Sequence, residues 1–234
     1  MPEVSPQTFM IAITGGSGSG KTTLAEVLKA RLGEGRCVVV SEDHYYLPRA
    51  LHTPDMTGKS NEEVERTINF DDPSSKDMAL FHTHLEALKD GRAIDQPVYD
   101  FAVHERDPAR LHRVAPHEVV IVEGVHVLTD PAFADLFDLT VYVDTPADLR
   151  LARRVRRDWM ERGRSPERSL DQYLRFVRAA HFRFTEPAKY LCDLVIADEG
   201  GAAFRPEGPD DMCGDRLASP VWSRLGLLGV IGAS

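Results

Sequence analysis

One short segment near the start of the chain, GGSGSGKT at residues 15–22, constrains the fold more than any other feature. It fits the pattern G-x-x-x-x-G-K-[ST] and lies between an apolar run of strand length at residues 9–13 and leucines at helical spacing. In that context, glycines allow successive backbone N–H groups to surround phosphate oxygens at a helix N-terminus. The segment therefore predicts a phosphate-binding loop (P-loop) and a bound nucleoside triphosphate.

Two side chains of this loop have specific expected roles. Lys21 is expected to reach the β- and γ-phosphates and to act in catalysis, while the Thr22 hydroxyl is expected to bind Mg²⁺. The dinucleotide-binding pattern G-x-G-x-x-G does not fit, because the glycines here fall at positions 16, 18 and 20. The loop is predicted to contribute these ATP-binding residues: Gly15, Gly16, Ser17, Gly18, Ser19, Gly20, Lys21, Thr22 and Thr23.

Apolar runs of strand length alternate with helical patterns along most of the chain. Strands are predicted at residues 9–13, 38–40, 119–122, 139–143 and 194–196. Helices are predicted at residues 24–32, 147–162 and 169–180, and from Ser74 or Ser75 to Gly91. Continuous β-branched runs separated by helices are typical of a parallel sheet covered on both faces. The sequence therefore predicts a three-layer α/β fold with a mostly parallel central sheet.

Two stretches do not follow this alternation. Residues 50–65 are polar and carry Pro54 and Gly58, so an exposed loop or a short helix is expected there. Residues 200–215 are rich in Gly, Pro and Asp, which is typical of a linker or flexible tail. We predict one domain over residues 1–199 and a C-terminal tail of undetermined structure over residues 200–234.

Composition restricts the partners and the compartment. The formal net charge of −9 argues against binding to nucleic acid or to anionic membranes. No apolar stretch approaches the roughly 18 residues of a membrane span, and residues 1–9 do not resemble a secretory signal. The three cysteines are far apart and in no CxxC pair, as expected of free thiols in a reducing compartment. These features predict a cytoplasmic protein.

The class of P-loop protein follows from what the sequence lacks. The guanine-reading tetrapeptide [NT]-K-x-D of GTPases does not occur, and the strand at 119–122 ends on the single carboxylate of Glu123 rather than on an Asp-Glu pair. A small kinase that acts on a metabolite remains. Such an enzyme needs a site for the acceptor and a lid over the phosphates, so the expected fold is a P-loop kinase fold with a lid.

Acidic and aromatic residues provide a candidate acceptor site. Asp43 follows the second strand, where a carboxylate faces the ligand crevice of an open α/β sheet. It could accept the proton of an attacking hydroxyl and lie in the outer shell of the metal, although a helix N-cap is an equally good interpretation of this segment alone. Residues 68–73 and 96–106 mix aromatic and polar side chains, which suits a flat ring carrying sugar hydroxyls.

Taken together, these segments resemble the uridine kinase (uridine–cytidine kinase) family over roughly residues 9–198. The matching stretches are GGSGSGKTT at 15–23, SEDHYY at 41–46, NFDDP at 69–73, PVYDFAVHER at 97–106, VIVEG at 120–124, VDTPADLRLARRVRRDWMERGR at 143–164, DQY at 171–173 and EPAKYLCDLVI at 186–196. The resemblance implies transfer of the ATP γ-phosphate, with Mg²⁺, to the 5′-hydroxyl of uridine or cytidine. It also implies a homo-oligomer.

The resemblance implies a role for each matching residue. Asp43 resembles the general base, Asp71 the ligand of the ribose hydroxyls, and Tyr99 and His104 the contacts to the base. A histidine donates or accepts according to its tautomer, so His104 is expected to tolerate both uracil and cytosine. The full substrate set is Tyr46, Phe70, Asp71, Tyr99, Phe101, His104, Arg154, Arg164 and Gln172, and the metal set is Thr22, Asp43 and Glu123.

An arginine-dense segment predicts the lid. Residues 150–168 contain eight arginines and three acidic residues, and Arg150, Arg154 and Arg157 share one helical face. A solvated face with ion pairs is the ordinary interpretation of such a helix. The position after the strand at 139–143, and a glycine between arginines at residues 162–164, favour a lid over residues 150–168. Arg157, which is expected to be catalytic, and Arg162 then become candidates to hold the β- and γ-phosphates.

The sequence departs from the family pattern at three places. Asp72 adds a second acid beside Asp71, the 50–65 connection is several residues longer than usual, and the Gly/Pro/Asp stretch after Ile196 interrupts the expected C-terminal helix. Two alternatives stay open. One is a related kinase with another acceptor, such as ribulose 5-phosphate or a vitamin-type nucleoside, and the other is an ATP-sensing regulatory module.

Overall fold

The computed structural model describes residues 8–200 and 211–232. Five strands form a parallel sheet in the order β2-β5-β1-β6-β7. Their bounds are β1 Phe9–Thr14, β2 Cys37–Ser41, β5 Val119–Glu123, β6 Leu139–Asp144 and β7 Leu194–Ala197. The predicted parallel sheet is confirmed, and each predicted strand lies within an observed one.

Helices and packed side chains cover both faces of this sheet. The helices are α1 Lys21–Leu32, α2 Asn61–Thr67, α3 Met78–Lys89, α4 Ala147–Arg162, α5 Pro166–Gln172, α6 Arg178–Ala180 and α7 Asp211–Leu227. Ile11 and Ile13 of β1 pack with α1 and α7 on one face, while Met10 and Ala12 pack with α3 on the other. This alternation follows from the two-residue period of a strand, and it gives the three layers that the sequence predicts.

Several helix boundaries differ from the sequence prediction. Helix α3 begins at Met78, because Asp77 is its N-cap and accepts a hydrogen bond from Leu80 N at 3.2 Å. Ser74 and Ser75 instead belong to a separate 3-10 turn. The helix predicted at 169–180 begins earlier, at Pro166, and continues beyond α6 through π-helical turns as far as Thr185.

A two-stranded antiparallel sheet lies outside the main sheet and was not predicted. Strand β3 covers Ile94–Asp100 and β4 covers Glu105–Val114. Most of β4 is exposed, so it lacks the apolar alternation that identifies a half-buried strand. The turn between these strands carries Phe101 and His104 towards the main sheet.

The C-terminal part contains a helix that the sequence did not predict. Leu217, Val221 and Leu225 of α7 are fully buried and join the core beside α1. Helix α7 begins at Asp211, so the linker or flexible tail predicted at residues 200–215 is wrong over residues 211–215. Residues 201–210 lie outside the described residues, and the prediction stays untested there. No helix within the described ranges is long and apolar enough to cross a membrane.

Candidate active site

A cleft of about 530 Å³ lies at the carboxyl ends of β1, β2 and β5, which is where parallel α/β sheets bind ligands. We call it the central cleft. All nine predicted substrate-binding residues and the three predicted catalytic residues line it. Its lining comprises Ser17, Lys21, Asp43, Tyr46, Phe70, Asp71, Tyr99, Phe101, His104, Val125, Arg154, Arg157, Arg162, Arg164 and Gln172.

The P-loop packs closely against Arg150, with the Arg150 backbone nearest to Gly18. A Cβ atom on Gly16 would lie 2.3 Å from Arg150 Nη1, and one on Gly18 would lie 2.4 Å from the Arg150 carbonyl oxygen. Gly18 also has a φ of +81°, in the left-handed region. Arg150 therefore supports the loop from beneath, with its Nε donating to the Thr145 carbonyl at 2.9 Å, and it does not line the central cleft with Arg154 and Arg157.

Other predicted loop residues surround the cleft without lining it. Gly15, Gly16, Gly18, Ser19 and Gly20 form the backbone curve that ends in α1. Thr22 and Thr23 are exposed at the start of α1. Of the predicted ATP-binding set, Ser17, Lys21, Arg157 and Arg162 are the cleft-lining members.

Three hydroxyl or carboxylate side chains meet beside Lys21. Glu123 accepts hydrogen bonds from Thr22 Oγ1 at 3.2 Å and from Ser41 Oγ at 2.6 Å. Burial raises the pKa of the Glu123 carboxyl against the opposing effect of Lys21, and burial lowers the pKa of the Lys21 ammonium. Hard oxygen donors of this kind suit Mg²⁺, which usually keeps water and substrate phosphates as its other ligands. Accordingly, no group of three or more His, Cys, Asp or Glu side chains in the described ranges could hold a metal.

A buried lysine that the sequence analysis missed contacts the predicted base. Lys76 Nζ lies 2.6 Å from Glu42 Oε1 and 3.0 Å from Asp43 Oδ1. The Lys76 and Glu42 side chains are fully buried, whereas that of Asp43 is 38% exposed and faces the cleft. Burial raises the pKa of the Asp43 carboxyl, but Lys76 and Lys21 outweigh it and hold that pKa well below its usual range. Asp43 is therefore an ionised carboxylate whose position Lys76 fixes.

Aromatic rings form one wall of the central cleft. The Tyr46 ring centroid lies 5.5 Å from that of Phe70 and 5.1 Å from that of Tyr99, and Phe101 lies 5.2 Å from Tyr99. The Tyr99 hydroxyl is buried and has no hydrogen-bond partner among the described residues. A buried unpaired hydroxyl that lines a cleft is a strong candidate for a ligand contact.

Polar side chains from three segments meet opposite these rings. Gln172 Oε1 accepts hydrogen bonds from Arg154 Nη2 and Arg164 Nη1, both at 2.8 Å. Arg154 Nη1 lies 3.6 Å from Asp71 Oδ1 and donates to Ser17 Oγ of the P-loop at 2.8 Å. Arg154 therefore connects the predicted acceptor site to the phosphate site.

The two neighbouring acids, Asp71 and Asp72, differ in their surroundings. Asp71 lines the central cleft, whereas Asp72 Oδ1 accepts hydrogen bonds from Ser74 N at 2.9 Å and from Ser74 Oγ at 2.7 Å. Asp72 thus caps a 3-10 turn, and of the two acids Asp71 is the one that lines the cleft.

Asp158 organises the arginines of α4 and was not singled out in the sequence. It is fully buried, and its carboxylate lies 2.9 Å from Arg157 Nη2, 3.1 Å from Arg164 Nη1 and 3.7 Å from Arg162 Nη1. Burial raises the pKa of the Asp158 carboxyl, but the surrounding guanidinium groups lower it overall. Its spacing of four residues from both Arg154 and Arg162 was the signal for this role.

The remaining cleft arginine lies on the aromatic wall. Arg162 packs its guanidinium 4.3 Å from the Phe101 ring centroid, a cation–π arrangement. Helix α4 ends there, at Gly163, whose φ of +62° gives a left-handed cap. The segment predicted to be a lid is a helix followed by a glycine cap, and four of its eight arginines line the central cleft: Arg154, Arg157, Arg162 and Arg164. Its role as a lid stays a prediction.

Known proteins share this chain's sequence pattern over most of its length. Residues 10–201 match the family described as Phosphoribulokinase / Uridine kinase family. The chain is 42% identical over 192 residues to a uridine kinase of Clostridium perfringens, covering 82% of this chain and 88% of that protein. It is 41% identical over 191 residues to a uridine kinase of Oceanobacillus iheyensis, covering 82% and 87%.

Solved structures share its fold. A protein of Bacillus stearothermophilus described as a possible uridine kinase has a TM-score of 0.56 at 21% identity, covering 83% of this chain and 91% of that one. The phosphoribulokinase of Rhodobacter spheroides has a TM-score of 0.60 at 18% identity, covering 82% and 71%. The match over residues 10–201 and the identity to close relatives show that this chain belongs to the phosphoribulokinase/uridine kinase family.

Proposed function

We propose that this protein transfers the γ-phosphate of ATP to the 5′-hydroxyl of uridine or cytidine in the central cleft, with Mg²⁺, as a step of pyrimidine salvage. One observation carries the proposal: the P-loop lysine, a fixed carboxylate, an aromatic wall and a cluster of arginines line the same cleft. The relatives named uridine kinase, at about 42% identity over 82% of the chain, support this acceptor over others in the family.

In the proposed reaction, the 5′-oxygen attacks the γ-phosphorus while the bond from that phosphorus to the β,γ-bridging oxygen breaks, so that ADP leaves. The proton of the 5′-hydroxyl passes to the Asp43 carboxylate. Lys76 holds one oxygen of that carboxylate at 3.0 Å, which leaves the other for the substrate hydroxyl. Lys21 lies against the β- and γ-phosphates and stabilises the charge that develops on the leaving group.

Other residues bind and orient the two substrates. Asp71 accepts hydrogen bonds from the ribose hydroxyls, Tyr99 and His104 contact the base, and the rings of Tyr46, Phe70 and Phe101 enclose it. Arg154, Arg164 and Gln172 line the sugar and base edges. Arg157 and Arg162 form the lid contacts to the phosphates. Mg²⁺, where it binds, neutralises phosphate charge, and Thr22, Asp43 and Glu123 are the residues that would hold it or its waters.

A coupled assay of ADP release tests the acceptor directly. Uridine, cytidine, adenosine, ribulose 5-phosphate and a sample without acceptor are compared at saturating Mg·ATP. The proposal predicts release with uridine and cytidine at least about a hundredfold above the sample without acceptor, since in-line positioning of the hydroxyl supplies most of the rate. Release with ribulose 5-phosphate instead would assign another acceptor, and no acceptor-dependent release would favour an ATP-sensing module.

A further inference from the structure

The Glu65 side chain contacts His104, the residue that we propose contacts the base. No local sequence pattern connects Glu65 with the central cleft. Glu65 Oε1 is 3.0 Å from His104 Nε2, and the two side chains are only 11% and 7% exposed. Glu65 belongs to α2, in the connection that is longer than usual, and is 39 residues from His104 along the chain.

Further contacts hold α2 and the β3–β4 turn together around this pair. Asn61 Nδ2 of α2 donates to the Ala102 carbonyl at 2.7 Å, and Arg49 Nε donates to the Val103 carbonyl at 3.0 Å. His104 itself has a φ of +50°, in the left-handed region that residues with a side chain adopt uncommonly. The hydrogen bonds to the β3–β4 turn therefore hold Glu65 and His104 in contact.

Glu65 is an ionised carboxylate. Its Oε1 also accepts from Arg164 Nη2 at 3.0 Å, and its Oε2 pairs with Arg168. Burial raises the pKa of Glu65, but the hydrogen bond from His104 and the two arginines lower it to about 2. A carboxylate only accepts hydrogen bonds, so His104 Nε2 must carry the hydrogen of this contact.

The other ring nitrogen then decides what the cleft presents to a base. Among the described residues, no hydrogen-bond partner contacts His104 Nδ1. This atom is also absent from the fully buried polar atoms that lack a partner, so it is not fully enclosed. In a neutral imidazole whose hydrogen lies on Nε2, Nδ1 presents a lone pair. The His104 ring stacks on Phe70 at a centroid distance of 5.0 Å.

We infer that Glu65 is a positioning residue that fixes the Nε2–H tautomer of His104, and that the cleft therefore favours cytidine over uridine. The inference rests on the proposed function. A lone pair on Nδ1 accepts a hydrogen bond from the 4-amino group of cytosine, whereas it faces a second lone pair on the 4-oxo group of uracil. A histidine free to adopt either tautomer would accept both uracil and cytosine. The tautomer that Glu65 fixes favours cytosine.

The expected preference for cytidine over uridine corresponds to the free energy of one hydrogen bond. The kcat/KM for cytidine should exceed that for uridine by about tenfold, because a site built to accept a hydrogen bond discriminates against a ligand that cannot donate one. In Glu65→Gln, the amide can donate or accept, so His104 can adopt either tautomer. The ratio should then fall to within about threefold of unity.

Two controls separate positioning from structural damage. Glu62→Gln lies on the same helix, where Glu62 pairs with Arg66 and does not line the cleft, so the cytidine-to-uridine ratio should stay unchanged. The second control is the riboside of pyrimidin-2-one, which lacks a 4-substituent. In Glu65→Gln, the kcat/KM for this riboside should fall by no more than the kcat/KM for uridine. A parallel loss for cytidine, uridine and this riboside would show that Glu65 only maintains the structure, and would overturn the inference.

Imidazole ¹⁵N NMR of the wild-type protein tests the tautomer without any turnover. The inference predicts hydrogen on Nε2 and none on Nδ1 of His104, and Glu65→Gln should shift this balance. Hydrogen on Nδ1 in the wild type, equal use of both nucleosides, a preference for uridine, or an unchanged ratio in Glu65→Gln would each overturn it. If neither nucleoside is phosphorylated, the proposed function fails, and the NMR result still decides the tautomer.

Discussion

At the scale of single residues, the site depends on buried charges that lie in contact with one another. Lys76 is enclosed between Glu42, Asp43 and the Tyr46 ring, whose centroid lies 4.5 Å from its Nζ. Glu42 also accepts a hydrogen bond from His126 N at 2.8 Å. Burial lowers the pKa of the Lys76 ammonium, but Glu42, Tyr46 and Asp43 raise it well above its usual range. Lys76 is therefore charged, and the fully buried Glu42 is its partner at 2.6 Å.

Removing one member of this pair should destabilise the protein strongly. In Lys76→Met, the fully buried Glu42 loses its counter-ion, so the free energy of unfolding should fall by about 3–5 kcal/mol. The double variant Glu42→Gln/Lys76→Met removes both charges and should recover most of that loss. Urea denaturation of the three proteins measures this. A single variant within about 1 kcal/mol of wild type, or a double variant no more stable than the single one, would contradict the pairing.

At the residue scale, local motifs located residues of the cleft from the sequence, whereas partners that are distant along the chain were missed. The P-loop, Asp43 and the segment around His104 carry their own signals, and all of them lie at the central cleft. Lys76 lies 34 residues from Glu42, and Glu65 lies 39 residues from His104. Neither pair has a sequence period that could reveal it, because the fold alone brings the partners together.

At the scale of elements, α4 connects the sheet to the cleft. Its bounds agree with the prediction, since Arg150, Arg154 and Arg157 recur at helical spacing. The β3–β4 hairpin and α7 were missed for different physical reasons. Strand β4 is largely exposed, and α7 contains Gly214 and Pro220, which weaken a helical pattern that its burial against α1 stabilises.

The proposed lid function of α4 predicts an effect on turnover rather than on binding. Arg157→Ala should reduce kcat by about 10³-fold or more, the range known for arginines that stabilise a transferring phosphoryl group, with little change in nucleoside affinity. Arg156→Ala is the matched control, because Arg156 lies on α4 near Trp159 and Met160 and does not line the central cleft. Steady-state kinetics with nucleoside titration measure both variants. A kcat for Arg157→Ala within threefold of wild type would remove this residue from the lid.

At the scale of the whole molecule, parallel strands bring charges of opposite sign to one edge of the sheet. The formal net charge is −9, yet 22 of the 28 basic residues are arginines, and eight of these lie between residues 150 and 168. The carboxylates of Asp43 and Glu123 follow or end strands β2 and β5, while the arginines of α4 follow β6. An acidic protein can therefore bind polyanionic nucleotides, because its positive charge is concentrated at the site of transfer.

The most direct test of this account is transfer of a radiolabelled γ-phosphate from ATP to uridine and cytidine by the wild type and by Asp43→Asn. The wild type should form labelled nucleoside 5′-monophosphate. Asp43→Asn keeps the shape of the side chain but cannot accept the proton, so kcat should fall by about 10²–10⁴-fold while the KM for ATP changes little. Labelled product from the wild type that depends on Asp43 is the predicted result. No labelled nucleoside monophosphate from the wild type, or full activity in Asp43→Asn, would contradict the account.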